Sequence, residues 1–498
     1  MSGAITIPGY SSSTRDPGIR FALDNSRANT ATSGRRVLII GQMLASGSAG
    51  AGVATISAGP SDAVTKYGAG SQCAIMVSRY RALDSQGEVW VLPLIDDAAA
   101  VAASGSITIG GAATASGTLS LYILDTLVPV LVTVGDTASA IATNMVSAIG
   151  GVAGLPVSVA VDSANPAKIN VVALNKGACG NDFALSLNVL GTGAGQQTPA
   201  GITVTFAQMA GGTQNPTGLM AALSGLGDRV YDLFIHPFTD TASLDIFKSV
   251  FDGLTGRWAP DEQLYGVGIT AYRGTYGQAT AFGLTQNDPH TSIMGISDSP
   301  SPPMAWAAEI GACAAISMRT NPALPVTGSG GALNVLPPSD AGRFVSSQRN
   351  SLLWDGISTH TVDDSGTVQI SRLITTYQTN AAGQPDDSYL DIETLLTAEV
   401  ALPDMRTYLS SLFGGYGLVA DGTVIPAGAK FTTAQLVGKA IAARYRWQAT
   451  QMWVQNPDTF ASSLVAENAG GGEVRVLMPY DFANQLWNIA GNCQFVKS

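Results

Sequence analysis

Four groups of residues in this chain are of the types that do chemistry. The stretch GQMLASGSAGAG at 41–52 follows an apolar run, Val37 to Ile40, and invites comparison with a phosphate-binding loop. Such a loop gathers backbone N–H groups around a phosphate, with glycines and lysine spaced GxxxxGK[ST], or GxGxxG for a dinucleotide. Here no lysine lies between Gly47 and Ser48 and the glycine spacing fits neither pattern, so the stretch reads as an ordinary flexible loop. The histidines His236, His290 and His360 stand in separate segments without HExxH or HxxxH spacing and read as structural residues. Asp386, Asp387, Asp391 and Glu393 crowd one region and have the chemistry of a cation site or an acid–base pair. The spacing of a calcium loop is absent, so they read as an acidic edge, solvated or facing a partner. Cys73, Cys179, Cys313 and Cys493 form no CxxC or Cys/His cluster, which favours reduced, buried thiols over a disulfide framework or zinc site. No catalytic, metal-binding or cofactor-binding residue, and no cofactor, is expected from this inventory.

One charge pattern points to a surface rather than a pocket. On a predicted helix from about Thr433 to Gln451, Lys439 and Arg446 are seven apart and share a face, with Ala442 and Ala443 between them. Leu436, Ala440 and Trp447 trace a more apolar side. In a chain of net charge -11 this basic stripe is either a solvated face or a contact for an acidic partner.

The elements that must position these residues form several units, because 498 residues exceed what one core holds. The fold class expected is α/β (α+β), multidomain. Residues 1–35 read as an extended arm, in which Pro8, Gly9, Pro17 and Gly18 prevent a continuous helix while Ile19, Phe21 and Leu23 alternate with Arg20, Ala22 and Asp24 as in a half-buried strand. Residues 36–97 open an α/β domain: VLIIGQ and GEVWVLPLI read as strands, with a turn and one helix between. From 98 to 212 short alternating runs such as SITIGG, TLSLYIL and KINVVAL, interrupted by the helix-like TASAIATNMVSAIG, read as an inserted, mostly β outer domain, dispensable for assembly. The α/β pattern resumes over 213–340 and ends in PALPVTGSGGALNVLPPSD at 322–340, read as a surface connection. A C-terminal α+β domain spans 341–484, with DDSGT at 363–367 as a turn and DMRTYLSSLF as one helix. Residues 485–498 read as a terminal arm strand, in which Trp487, Ile489, Cys493 and Phe495 alternate.

Composition narrows the function. Charged residues make up 12% of the chain, where about a quarter is usual, and hydrophobic residues 46%, a surface suited to burial in an assembly. The acidic balance argues against nucleic-acid binding. No run of about 18 apolar residues is long enough to span a membrane. The start, MSGAITIPGYSSSTRD, lacks the basic and apolar regions of a signal peptide.

Four longer strings carry a resemblance. Leu352 to Val400, LLWDGISTHTVDDSGTVQISRLITTYQTNAAGQPDDSYLDIETLLTAEV, resembles the C-terminal region of contractile-tail sheath proteins of Mu-like bacteriophages. DLFIHPFTD at 232–240, AFGLTQNDPHTSIMGISDS at 281–299 and VRVLMPYDFANQLWNIAGNCQFV at 474–496 are similar to the same family in the same order. The resemblance implies a structural subunit, not an enzyme, that stacks as hexameric rings around a tail tube and contracts to drive the tube through a cell envelope for genome delivery. It implies as partners further copies of the chain, the tail tube protein, and baseplate and tail terminator proteins. It places the subunit in the virion tail, assembled in the bacterial host cytoplasm, with the tube met by the C-terminal domain through Lys439 and Arg446. Two readings compete: the sheath of a phage-derived bacteriocin or injection device, and an α/β enzyme whose β-rich insertion is a binding module. The enzyme would need a pocket of convergent polar groups.

Overall fold

The computed structural model of the protein describes residues 35–495. Ile19, Phe21 and Leu23 therefore lie outside the described residues. β1 (Arg36–Gln42) is buried along almost its whole length, because it sits in the middle of a parallel sheet covered on both faces. It is followed by the edge strand β2 (Thr55–Ile56) and by two helices, α1 (Pro60–Tyr67) and α2 (Gln72–Leu83), where the sequence reading has one. The break falls at GAGS: the Ser71 hydroxyl accepts from Ala74 N at 3.1 Å and starts a new helix. β3 (Glu88–Leu94) pairs in parallel with β1.

The chain then leaves this sheet. β4 (Ser104–Gly111), β5 (Gly117–Ile123), β6 (Thr126–Val132), α3 (Ala138–Gly150), β7 (Val157–Val161), β8 (Lys168–Ala173), β9 (Leu185–Leu187) and β10 (Ile202–Ala210) build two antiparallel sheets, ordered β10-β4-β8-β7 and β6-β5-β9. It returns through α4 (Leu219–Ser224), β11 (Leu233–Ile235), α5 (Thr241–Val250), β12 (Val267–Arg273), α6 (Tyr276–Gly283), β13 (Thr291–Ile296) and α7 (Pro303–Thr320). The completed sheet has the order β13-β12-β11-β1-β3-β2 and is parallel except at β2. α7 is buried on all sides over most of its length, the pattern of a central helix rather than a surface one.

The excursion does not stand clear of the sheet it interrupts. Ile107, Leu121, Val130 and Met145 belong to one continuous buried cluster with Val37, Ile39, Tyr67 and Trp306. Asp96 accepts from Gln42 at 2.6 Å, Asn175 at 3.1 Å and Lys176 N at 2.9 Å, stitching the segment to the end of β1. A dispensable insertion is therefore not what the packing supports. Removing it uncovers shared core and strands Asp96.

β14 (Ala332–Leu333), α8 (Ser346–Trp354), β15 (Thr359–Val362) and β16 (Val368–Arg372) follow, the strands ordered β14-β16-β15. The Gly- and Pro-rich stretch before them is not a surface connection. Ala323, Val326, Leu333 and Val335 are buried, and two buried carboxylates take its backbone: Val326 N donates to Glu393 at 2.9 Å and Asn334 N to Glu309 at 2.5 Å. α9 (Ile392–Phe413) is a longer helix than DMRTYLSSLF alone and carries Pro403 inside it. The large cluster reaches Val400, and a separate one begins at Met405, so the division in packing falls at Pro403 rather than at 340. β17 (Gly417–Leu418) and β18 (Phe431–Thr432) pair with each other, and the second cluster gathers α10 (Ala434–Thr450), α11 (Pro457–Ser463), β19 (Val465–Gly470) and β20 (Glu473–Leu477) around Ile441, Tyr445, Val454 and Phe460. The Tyr445 and Phe460 rings stack at 3.6 Å within it.

Candidate functional site

The groups with catalytic residue types do not converge. Gly47 lies so close to the end of α1 that a Cβ there would sit 2.5 Å from Lys66 O, so its role is close backbone approach. Each histidine packs on aromatic rings: His236 on Phe247 at 3.8 Å, His290 on Trp258 at 4.8 Å, His360 on Trp306 at 4.7 Å. Burial pushes His236 down to about 3 and His360 down to about 4, so both are neutral core rings. The carboxylates of 386–393 divide among different tasks. Asp391 takes both Arg372 nitrogens at 2.8 and 2.9 Å, Asp386 accepts from Tyr377 Oη at 2.8 Å, and Glu393 is buried, so only part of the expected acidic edge exists. Cys73 and Cys313 are buried, Cys179 is half-buried and Cys493 is exposed, all four as free thiols.

What the C-terminal unit presents instead is unfinished main-chain hydrogen bonding. β19 and β20 form a two-stranded antiparallel sheet, and neither outer edge pairs with another described strand. Val465 and Leu477 on it are 54% and 67% exposed. An isolated hairpin is marginal in water, and open edges invite further strands. Its inner side rests on α10, with Val476 packed against the Tyr445 cluster.

The segment after this hairpin is tied down only at its beginning. Asp481 N donates to Tyr445 Oη at 3.1 Å, Ala483 N to Trp453 O at 3.0 Å and Gln485 Nε2 to Ala323 O at 3.2 Å. The Arg372 guanidinium lies 4.8 Å over the Trp487 ring. Beyond it, Ile489 and Phe495 are 86% and 90% exposed. The terminal strand read from the alternation of Trp487, Ile489, Cys493 and Phe495 is not formed within the subunit up to Phe495, because no strand edge among the described residues meets it.

α10 is capped as expected, Thr433 Oγ1 accepting from Leu436 N at 3.2 Å. Its buried face is Ala434, Gly438, Ile441, Tyr445 and Gln448, whereas Leu436 and Trp447, on the side read as more apolar, point outward. Tyr445 and Gln448 take that inward place because their polar ends find backbone carbonyls, Gln455 O and Ala401 O. Lys439 and Arg446 share the outer surface. Arg446 meets Asp458 at 2.6 Å, both well exposed, which leaves Lys439 as the stripe's cation without such a partner among the described residues. Sequence reasoning missed Arg444, whose guanidinium grips Asp404 of α9 and lies 3.7 Å over the Trp447 ring. The signal was present as an Arg and a Trp three apart on one helix.

Open strand edges and exposed apolar residues such as Ile489 and Phe495 are features that invite pairing with other chains. The family described as the phage tail sheath protein central domain matches residues 212–376. The Mu-like prophage FluMu tail sheath protein of Haemophilus influenzae is 33% identical over 497 residues, covering 99% of this chain and 100% of that protein. The chain therefore belongs to the tail sheath family of Mu-like phages: it is a structural component of the virion tail, not an enzyme. Crystal structures of sheath tail proteins from Desulfitobacterium hafniense and Listeria innocua are similar at 12% and 13% identity, each with a TM-score of 0.48. They cover 95% and 92% of this chain and 97% and 94% of their own. Among the described residues no helix is long and apolar enough to cross a membrane.

Proposed function

We propose that this chain is the repeating subunit of a contractile sheath, stacked in hexameric rings around a tail tube, whose terminal segments join neighbouring subunits by adding strands to the β19–β20 hairpin. The observation that carries this reading is the coincidence of an open-edged hairpin and an unpaired, apolar terminal segment in the same C-terminal unit. Strand addition supplies main-chain hydrogen bonds to both parties, and it holds under tension without a rigid body-to-body interface. Rings linked in this way can shorten and widen while the links persist. Ile19, Phe21 and Leu23 at one end and Trp487, Ile489, Cys493 and Phe495 at the other are the strand-forming residues.

In this account the unit beyond Pro403 faces the tube through the outer surface of α10, with Lys439 and Arg446, and the α/β body with its inserted sheets lies outside. Baseplate and tail terminator proteins bound the stack at its ends. Contraction consumes no nucleotide: an extended sheath is held in a kinetic trap and relaxes to a state with more favourable contacts, driving the tube through an envelope to deliver the genome. The test is deletion of residues 1–24. The truncated protein is expected to remain a folded monomer by circular dichroism and light scattering and to form no tubes in negative-stain micrographs; tubes of normal length would overturn the strand-exchange reading.

A further inference from the structure

The N-terminal segment emerges at Arg35, and what receives it is a compact polar junction between three elements. Asp232, at the foot of β11, accepts from Arg36 N at 2.7 Å and from Arg35 Nη1 at 3.0 Å, while its own N–H donates to Arg36 O at 2.8 Å. Its carboxylate is nearly buried, with the side chain 7% exposed. Beside it the stretch before β12 is strained: Gln263, Tyr265 and Gly266 all have positive φ. Gly266 has no alternative, since a Cβ there would lie 2.6 Å from the Phe234 ring. Arg257 holds this stretch from one side, donating to Tyr265 O at 2.8 Å, and α9 holds it from the other, Glu399 Oε1 accepting from Gly266 N at 2.7 Å.

The link from Arg35 to α9 is direct and has a specific origin. In a regular helix the carbonyl of Glu399 would accept the N–H of residue 403. That residue is Pro403, which has none, so the carbonyl is left open. Arg35 Nη1 fills it at 3.4 Å. The proline thus has a role beyond the hydrogen bonding of α9 itself. It creates the acceptor to which the root of the N-terminal segment is tied.

From this geometry we infer that Arg35, Asp232 and the Pro403-freed carbonyl of Glu399 form a coupling junction that passes tension from the N-terminal segment straight into α9, and so into the C-terminal unit with its hairpin and terminal segment. Arg35 is tied to α9 at Glu399, a few residues before Met405 opens the C-terminal unit, and none of these contacts involves the inserted sheets. The inference rests on the strand-exchange reading, because tension reaches Arg35 only if the preceding residues are held by a neighbour. Asp232, Arg35 and Pro403 are positioning residues in this scheme.

The test uses full-length protein assembled into tubes and a fixed shear dose, with tube length measured in micrographs. Pro403→Ala restores the helical hydrogen bond to Glu399 O and competes with Arg35. It is expected to raise the melting temperature of the monomer and yet make tubes break roughly tenfold faster, the loss of one ion-assisted contact. A purely structural role for Pro403 would move both readouts in the same direction. Arg35→Met should weaken tubes likewise and Arg35→Lys should recover part of the strength; failure of a folded Arg35→Met protein to assemble counts the same way. Arg319→Met, which breaks the Arg319–Asp84 pair at 2.6 Å elsewhere in the body, is the control and should leave tube strength unchanged. If deletion of residues 1–24 abolishes tubes while Pro403→Ala and Arg35→Met tubes survive shear like the parent, the junction is wrong and strand exchange stands. If the deletion leaves tubes intact, strand exchange itself fails.

Discussion

Three glutamates stabilise the α/β body from inside by accepting backbone N–H groups that no ladder satisfies. Glu309, Glu393 and Glu399 are 0%, 0% and 2% exposed and accept from Asn334, Val326 and Gly266. Burial pushes Glu309 and Glu393 up to about 7, and Glu399 well above the carboxylate range. For Glu393 the folded value lies above the ordinary 4.5, so the stability it contributes is complete below about pH 4.5 and is lost as pH rises through about 7. His236 works in the opposite sense. Burial lowers it from 6.5 to about 3, so its contribution is complete above about pH 6.5 and is lost on acidification. Glu393→Gln keeps the acceptor for Val326 N and removes the ionisation. In urea melts its stability should fall less than the parent's between about pH 5 and about pH 9, by up to roughly 3 kcal/mol. Parallel pH profiles for the two proteins would contradict this role. None of the three glutamates was legible beforehand. Glu393, a carboxylate two residues from Asp391, reads as part of an acidic edge until the fold turns it inward.

Among the elements, α10 shows how a helix can bury a face other than the one its most apolar side chains trace. Its span and cap follow from Thr433 and the periodicity after it, but Leu436 and Trp447 point outward because Tyr445 and Gln448 reach backbone partners inside. The pairing of Arg446 with Asp458 changes the weight of the basic stripe. An exposed pair of this kind is worth about 0–1 kcal/mol and already occupies the arginine, so Lys439 is the stronger candidate for a contact with an acidic tube. Lys439→Glu should reduce the yield of extended tails on the tube more than Arg446→Glu, with the defect of a Lys439→Ala variant shrinking as salt approaches about 1 M. Neither change should stop tubes forming without the inner tube. Equal yields from parent and Lys439→Glu would show that this face is only solvated. The strands of the body were legible for a plain reason: VLIIGQ and EVWVLPL are apolar except for Gln42 and Glu88 at their ends, as strands buried on both faces tend to be. The loop at 322–340 was not, because its burial depends on Glu309 and Glu393, distant in sequence.

For the molecule as a whole, periodicity marks both chain ends as strands; Ile19 to Leu23 lie outside the described residues, and Trp487 to Phe495 form no strand within one subunit. The alternation of Trp487 to Phe495 carries the capacity to pair, and within one subunit the described residues do not bring that segment to a free edge. The hairpin of β19 and β20 supplies such an edge, on the far side of Pro403 from the body that carries the insertion. Assembly is thus read from an incompleteness: open edges, an exposed apolar tail, and a surface poor in charge. The most direct test of this account is a cryo-electron microscopy reconstruction of tubes assembled from the full-length protein. It should show Trp487 to Phe495, and Ile19 to Leu23 from another copy, as strands hydrogen-bonded along Val465–Leu477 of neighbouring subunits. Tubes in which these segments fold back on their own subunit, with cohesion carried by contacts between the α/β bodies, would contradict it.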